Sequence, residues 1–298
     1  MLDSHKQQIA DALIAYMATN GISQNKLKDL TGVSAGYLSA IVNGTYNAVP
    51  VKGGTVAIGD QHFRKIQQFL GMTAEVFETR NYTDIMFALA QAKKNAGASI
   101  VDGNTGAGKT FTLTEFQRLF PAATYVVKCS NSMTPRMMVL KLAEVVGVMA
   151  HGDNNTVIRL VADKLGREAS PLVIFDEMET MLKKRLAVGF IKDLYDLVEY
   201  RAGVVIIGAN GFLNQLRIKA EKNIESFPQV LRRFGAAPLM LSAGIDMADA
   251  VTICAAYGIT SRSDVAQLVA HCRDYGTLFS TLAKGKSDRE ALDNGPQK

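Results

Sequence analysis

The segment GNTGAGKT at positions 103–110 constrains the fold of this chain more than any other feature of the sequence. It follows the β-branched run ASIVD and precedes FTLTEFQRLF, which has helical periodicity. A strand, a glycine-rich loop and a helix in that order are the context in which G-x-x-x-x-G-K-[ST] binds phosphate groups. The sequence therefore predicts an α/β domain with a nucleotide site at the end of a strand. A glycine-rich turn with an incidental lysine is the alternative.

The residue types of this segment fit ATP and Mg²⁺. Gly103, Gly106 and Gly108 allow the backbone to turn its N–H groups towards phosphate oxygens. The Lys109 ammonium suits the β- and γ-phosphates, and the Thr110 hydroxyl suits Mg²⁺. The predicted nucleotide-binding residues are Gly103, Asn104, Thr105, Gly106, Ala107, Gly108, Lys109, Thr110 and Phe111.

Two further apolar runs end in polar residues. LVIFDE at 172–177 places Asp176 as a second Mg²⁺ ligand and Glu177 as the general base for an attacking water. VVIIGAN at 204–210 places Asn210 where its amide can orient that water. The alternatives are a strand end with solvated charges and an asparagine in a turn.

The pattern of apolar residues, which changes along the sequence, divides the chain into four segments. We predict a helical unit at 1–72, a linker with an entry helix at 73–97, an α/β core at 98–243 and a helical segment at 244–298. The first unit contains a loop, AVPVKGGTVAIG. The predicted strands are Ala98–Val101, Thr124–Lys128, Leu172–Phe175, Val204–Ile207 and Pro238–Leu241. The predicted C-terminal helices are Met247–Tyr257, Ser263–Asp274 and Thr277–Lys284, with a polar tail from Gly285.

A strand with this loop, then Asp-Glu, then a strand ending in Asn, then LRRF at 231–234, resembles the AAA+ ATPases. The resemblance implies a parallel sheet of order 5-1-4-3-2, a helical lid and a homo-oligomer, as a ring or helical filament. Asn210 would be sensor 1, and Arg233 the arginine finger that acts on a neighbouring subunit. The family's second sensor arginine is absent, because Phe279 stands at that position. Arg273 or Lys284 are the possible substitutes, and slow turnover is the expectation.

The segment SQNKLKDLTGVSAGYLSAIVNGTYN resembles a Cro/repressor-like helix-turn-helix. Such a domain before an AAA+ module resembles the transposition ATPases of the IstB and TnsC kind. That resemblance implies double-stranded DNA and a transposase as partners. The second short helix would enter the major groove, while flanking residues would meet phosphates. The DNA-binding candidates are Ser34, Ala35, Tyr37 and Ser39 in the groove, and Lys26, Lys28 and Asn43 at phosphates. A helical adaptor that binds protein is the alternative.

A second DNA-binding candidate is the basic run Lys183, Lys184 and Arg185 within LKKRL. In oligomeric AAA+ proteins the loop and helix after this strand face the central channel, so the run could follow a DNA backbone. A solvated charged run is the alternative.

The composition is that of a globular protein with a mild basic excess, a net charge of +5, which favours an anionic partner. The N-terminus lacks the pattern of a signal peptide, and no apolar stretch reaches membrane-spanning length. The three cysteines show no metal-ligand spacing. We therefore expect a cytoplasmic protein with no membrane partner.

The leading hypothesis is a slow, DNA-stimulated ATPase that assembles on DNA, selects transposition targets and stimulates a transposase. The alternatives are an ATP-switched transcription regulator with a defined operator, and a helicase loader or replication initiator.

Overall fold

The computed structural model describes residues 3–51, 54–70 and 76–293. The chain divides into two compact units, one formed by 1–77, 251–265 and 280–298 and the other by 78–250 and 266–279. The predicted boundary between residues 72 and 73 lies within 71–75, which are outside the described residues. Residues 294–298 of the predicted tail also lie outside them.

In the N-terminal part of the first unit, the described residues form four helices: α1 (Asp3–Asn20), α2 (Gln24–Thr31), α3 (Ala35–Val42) and α4 (Asp60–Phe69). The hydroxyls of Ser23 and Ser34 cap α2 and α3, because each accepts a backbone N–H of the first turn. Gly32 ends α2 in the left-handed conformation, with φ 65°. The core of this unit comprises Ile9, Leu13, Leu27, Leu38, Ile41, Phe63 and Ile66.

The predicted loop between α3 and α4 is in part an antiparallel hairpin, which corrects the sequence analysis. Strand β1 (Val49–Val51) pairs with β2 (Gly54–Val56), and Val49 lies opposite Val56. The β-branched residues of this segment favour extended backbone, and two adjacent runs of them can satisfy each other's hydrogen bonds. The glycines and the proline obscured that pattern.

The second unit contains a five-stranded parallel sheet, and its order β4-β5-β6-β3-β7 confirms the predicted arrangement 5-1-4-3-2 counted from β3. The strands are β3 (Ala98–Asp102), β4 (Thr124–Lys128), β5 (Leu172–Asp176), β6 (Gly203–Gly208) and β7 (Leu239–Met240). All residues of β5 and β6 are buried. Near-continuous apolar strands of this kind require helices on both faces.

Helices cover both faces of the sheet. The residues of α5 (Arg80–Asn95) and α6 (Lys109–Leu119) pack in one apolar cluster. The opposite cluster is formed by α7 (Pro135–Val146), α8 (Asn154–Leu165), α9 (Arg185–Val198), α10 (Phe212–Glu221) and α11 (Phe227–Phe234). The sheet therefore presents its carboxyl edge, where β3, β5 and β6 end, as the place for polar residues.

The C-terminal helices are α12 (Met247–Ala256), α13 (Arg262–His271) and α14 (Tyr275–Asp293). Helix α13 ends before the predicted Asp274, because the Asp274 carboxylate accepts the Thr277 N–H at 2.8 Å and so caps α14. Helix α14 also continues past Gly285, since one glycine inside a helix costs only about 1 kcal/mol. No helix in the described part of the chain has the length and apolar character needed to cross a membrane.

Candidate nucleotide site at the carboxyl edge of the sheet

The glycine loop joins the end of β3 to the start of α6. Gly106 and Gly108 have φ values of +82° and +87°, in the left-handed region that favours glycine. A Cβ on Gly103 would lie 2.7 Å from the Leu241 side chain, so a larger residue there would displace the loop. The first N–H groups of α6 have no partners within the helix and carry the positive end of its dipole. The loop therefore fits an anionic ligand such as a polyphosphate.

Lys109 is the first residue of α6 and folds over the loop. Its ammonium donates to the carbonyl oxygens of Gly103 at 2.6 Å and Asn104 at 2.8 Å. Burial lowers the pKa of Lys109, and the charges of nearby carboxylates oppose that shift, Glu179 most strongly and Asp176 next. The lysine is thus held beside the loop within an acidic surrounding.

Asp176 is the last residue of β5 and is only 2% exposed. Its Oδ1 accepts the Glu177 N–H at 2.9 Å. Burial raises the pKa of Asp176, while that hydrogen bond and the charges of Lys128 and Lys109 lower it. A buried carboxylate next to a lysine and a phosphate loop is a suitable oxygen ligand for Mg²⁺.

Glu177 follows in a left-handed conformation, with φ 57°. Its Oε1 lies 3.1 Å from the Lys128 ammonium, an ion pair that sequence reasoning missed. The parallel register explains the pair, since Lys128 on β4 lies beside Asp176 on β5. The ion pair therefore holds Oε1 of the predicted general base against a lysine of the neighbouring strand.

Glu179 was also missed, although it stands two residues after Glu177 in the same turn. Its Oε2 accepts the Ala209 N–H at 3.0 Å. Ala209 directly precedes Asn210, so this bond joins the acidic turn after β5 to the turn after β6. The third acid of DEMET, Glu179 itself, was the available signal in the sequence.

Asn210 lies two residues beyond β6, with φ 54° and an exposed side chain. Gly208 at the end of β6 lies beside Asp102 at the end of β3 and accepts the Gly103 N–H at 3.4 Å. The structure therefore places Asn210 and the glycine loop at the same edge of the sheet.

Asp102 precedes the glycine loop and was not among the predicted site residues. It is 2% exposed, and its Oδ2 accepts the Leu213 N–H at 2.9 Å. Gly211, at the start of α10, supplies no side-chain cap, so Asp102 satisfies that helix end from a neighbouring strand. The bond fixes the glycine loop and the Asn210 turn to each other.

Arg233 lies in the last turn of α11. Its Nη1 is 2.5 Å from Oδ1 of Asp196 on α9, and its side chain is 21% exposed. Asp196 Oδ2 also lies 3.1 Å from the Lys192 ammonium. The neighbouring Arg232 is exposed. The predicted finger is thus held by an acid of its own chain.

The remaining residues singled out in the sequence lie on α6 and α14. Thr110 and Phe111 are exposed on the first turn of α6. The Phe111 ring centroid is 6.5 Å from that of Tyr82 on α5. Phe279 is half-buried in the second turn of α14.

The basic run after β5 divides in two. Lys183 and Arg185 are exposed. Lys184 instead donates to the carbonyl oxygens of Asn131, at 2.8 Å, and of Met133. Of these three residues, Lys183 and Arg185 present their charges to solvent, whereas Lys184 would have to break its internal contacts to do so.

The groove candidates lie on α3 of the N-terminal unit and at its N-cap, Ser34. Ser34 is exposed, and Ala35, Tyr37 and Ser39 are half-buried. The Tyr37 ring packs against His62 at 4.7 Å. The three phosphate candidates Lys26, Lys28 and Asn43 are exposed.

Comparison with known proteins supports the fold. Residues 92–216 match a family model described as an AAA domain. No curated protein matches the chain significantly. Among solved structures, the ORC1 protein of Aeropyrum pernix, determined in complex with DNA, is 15% identical with a TM-score of 0.51. That similarity covers 76% of this chain and 63% of ORC1, so this chain spans about three fifths of that protein.

Two further structures are similar at lower scores. Cdc6p of Pyrobaculum aerophilum is 14% identical over 68% of this chain and 57% of its own, with a TM-score of 0.48. The replication initiator DnaA, bound to AMPPCP and single-stranded DNA, is 10% identical over 74% of this chain and 67% of its own, with a TM-score of 0.47. The segment around the glycine loop is thus similar to an AAA domain, and it lies within an α/β fold like that of ORC1.

Proposed function

We propose that the carboxyl edge of the sheet binds ATP with Mg²⁺ and hydrolyses it. The observation that carries this proposal is the convergence of Lys109, Asp176 and Glu177 beside a glycine loop with left-handed backbone. The loop amides and Lys109 hold phosphate oxygens, and Thr110 and Asp176 hold Mg²⁺. Bound Mg²⁺ neutralises charge on the phosphates.

The same edge supplies the groups for water attack. Glu177 accepts the proton of the attacking water once its ion pair with Lys128 opens. Asn210 orients the water, and the Glu179 and Asp102 hydrogen bonds keep the Asn210 turn at a fixed distance from the loop. Lys128 therefore restrains hydrolysis, to the small extent that an exposed ion pair allows.

Arg233 would complete the site of a neighbouring subunit. Its pair with Asp196 must then open on assembly, so Asp196 holds the arginine in reserve in the single chain. This arrangement makes hydrolysis depend on oligomer formation.

The proposed partner is double-stranded DNA, bound through α3 with Lys26 and Lys28, and through Lys183 and Arg185. Helices α2 and α3, with Gly32 and Ser34 between them, have the length and caps of a helix-turn-helix. With the sequence resemblance to phage Mu transposition protein B, this supports a role in selecting transposition targets for a transposase. The likeness in fold to ORC1 favours a second candidate, a replication initiator or helicase loader.

The test of the ATP site is nucleotide binding by Lys109→Ala. Loss of the lysine should abolish ATP binding measured by calorimetry, because Lys109 is the only cation within residues 103–110, all of which are described, and the phosphates would lose it. Lys94→Ala, an exposed lysine at the end of α5, is the matched control and should bind normally. Equal binding by both variants would refute the site.

The test of the partner is DNA binding with and without ATP. Coating that grows with DNA length and ignores sequence supports an assembling ATPase, and transposase stimulation then supports the transposition role. One discrete footprint supports a transcription regulator, and stimulated loading of a helicase supports the second candidate.

A further inference from the structure

The Asp274 carboxylate packs directly on the glycine loop. A Cβ placed on Gly106 would lie 2.3 Å from Cγ of Asp274 and 2.5 Å from its Oδ1. A Cβ on Gly276 would lie 3.9 Å from the Gly106 Cα, so the backbone after Asp274 also approaches the loop. An acidic side chain thus fills the space beside the backbone that is proposed to hold phosphates.

This carboxylate is anchored. Its Oδ1 accepts the N–H of Thr277 at 2.8 Å and the hydroxyl of Thr277 at 3.0 Å. The next residue, Tyr275, is buried, and its hydroxyl donates to Asp249 at 2.5 Å. Asp249 also accepts the Arg80 N–H at 3.0 Å. The segment that carries Asp274 is therefore linked to the first turn of α5, which holds the carboxylate against the loop.

The charge opposes an anionic ligand on the loop. Like charges a few ångströms apart repel, and a partly buried site screens them less than water does. Lys109 is already surrounded by the carboxylates of Asp102, Asp176, Glu177 and Glu179. Asp274 adds a further negative charge on the side of Gly106.

We propose that Asp274 sets the nucleotide affinity of the loop by repelling bound phosphate. Docking of Asp274 on Gly106 and binding of ATP then oppose each other. Since coupling between two binding events is reciprocal, the contact weakens ATP binding and ATP weakens the contact. The proposal rests on the ATP site proposed above. It gives the segment 266–279 a role in regulating ATP binding, although the second sensor arginine of the AAA+ ATPases is absent from it.

The competing explanation is that Asp274 only caps α14. Asparagine caps a helix as well as aspartate does, so Asp274→Asn removes the charge and keeps the cap. ATP and ADP affinities of this variant are measured by calorimetry at low and high salt. Asp264→Asn, an exposed acid in the first turn of α13, is the matched control.

We expect Asp274→Asn to bind ATP about fivefold more tightly or better, within the usual range of coupling between sites. The gain should be smaller for ADP, which carries less charge, and should shrink in high salt. Hydrogen exchange at residues 274–279 should rise on ATP addition in the wild-type protein, and less in the variant.

Equal or weaker ATP binding by Asp274→Asn, with binding still lost in Lys109→Ala, would overturn this inference and leave the ATP site standing. Failure of the wild-type protein to bind ATP, or normal binding by Lys109→Ala, would instead overturn the proposed function and this inference with it.

Discussion

The acids at the carboxyl edge of the sheet and the basic residues proposed to meet DNA are held in different ways. Asp102 and Glu179 each accept a backbone N–H from a neighbouring segment, and Asp176 is buried at the end of β5. Lys183 and Arg185 are exposed. The side chains at the edge are thus held in fixed positions by hydrogen bonds and burial. The basic side chains carry charge but are not held in fixed positions.

The difference teaches what each region can do. Fixed donors and acceptors suit a reaction, where a displacement of one atom changes the barrier. Exposed cations suit a phosphate backbone, where affinity depends on the number of charges and falls with salt. Single conservative substitutions should therefore cost much at the edge and little on the surface.

Arg233 tests the comparison most severely, because it is a cation that is neither exposed nor at the edge. An arginine that stabilises charge on a transferring phosphoryl group contributes about 10³-fold or more to turnover. Arg233→Ala should therefore lose ATP hydrolysis and assembly on DNA but retain ATP binding by the single chain. Arg232→Ala, its exposed neighbour, is the control and should hydrolyse ATP normally.

Mixing Arg233→Ala with Lys109→Ala sharpens this prediction. Each variant keeps the half-site that the other lacks, so a mixed interface can combine an intact loop with an intact arginine. Partial recovery of ATPase activity shows action between subunits. No recovery, with both proteins folded and mixed, argues for a monomeric switch.

Glu177→Gln tests the edge itself by changing one atom. Loss of a general base costs about 10²- to 10⁴-fold in rate, so hydrolysis should nearly stop while ATP still binds. Glu179→Gln is the matched control, since a glutamine oxygen can still accept the Ala209 N–H, and its rate should fall far less. Steady-state phosphate release measures both. Normal turnover by Glu177→Gln would remove that residue from the base role.

Charge reversal at the surface should have a smaller and less specific effect. Lys183→Glu with Arg185→Glu should lower DNA affinity about tenfold on every sequence and reduce the salt slope by about one for each lost phosphate contact. Lys94→Glu with Arg167→Glu, both at exposed positions, is the charge-matched control. Fluorescence anisotropy over a salt series gives both quantities. Unchanged affinity would mean that the run is merely solvated.

The same contrast explains what the sequence could predict. The strands of the sheet, the glycine loop, and the positions of Asp176 and Asn210 follow from local patterns, because buried parallel strands are continuous apolar runs with polar residues at their ends. The caps Ser23 and Ser34 were predictable for the same local reason.

Contacts between distant segments were not predictable. The pairs Lys128–Glu177 and Arg233–Asp196 depend on strand register and helix packing, which cannot be read from any short stretch of the sequence. Asp274 against Gly106 joins positions far apart in the chain. The hairpin of β1 and β2 was missed because its strands are short and contain proline and glycine.

The ion pair between Lys128 and Glu177 lies at the edge but is exposed to solvent, as the residues of the basic surface are. Its partners are 60% and 37% exposed, so water and salt screen their attraction. Such exposed pairs contribute about 0.2–1 kcal/mol, in contrast with the buried hydrogen bonds around them. Lys128 should therefore restrain Glu177 only slightly.

Lys128→Met should release Glu177 and raise the ATPase rate, at most about fivefold, because a pair worth about 1 kcal/mol cannot hold back more than that. The gain should be largest at low salt, where the ion pair is strongest, and should vanish when the pair is screened in the wild-type protein. Lys141→Met, which breaks the comparable exposed pair with Glu144 on α7, is the matched control and should leave the rate unchanged. A direct contact between Lys128 and the phosphates is the other explanation to test, and measuring ATP affinity distinguishes it from the restraint on Glu177. A fall in both affinity and rate would show that Lys128 contacts the phosphates directly, and the restraint on Glu177 would then be the wrong account of this pair.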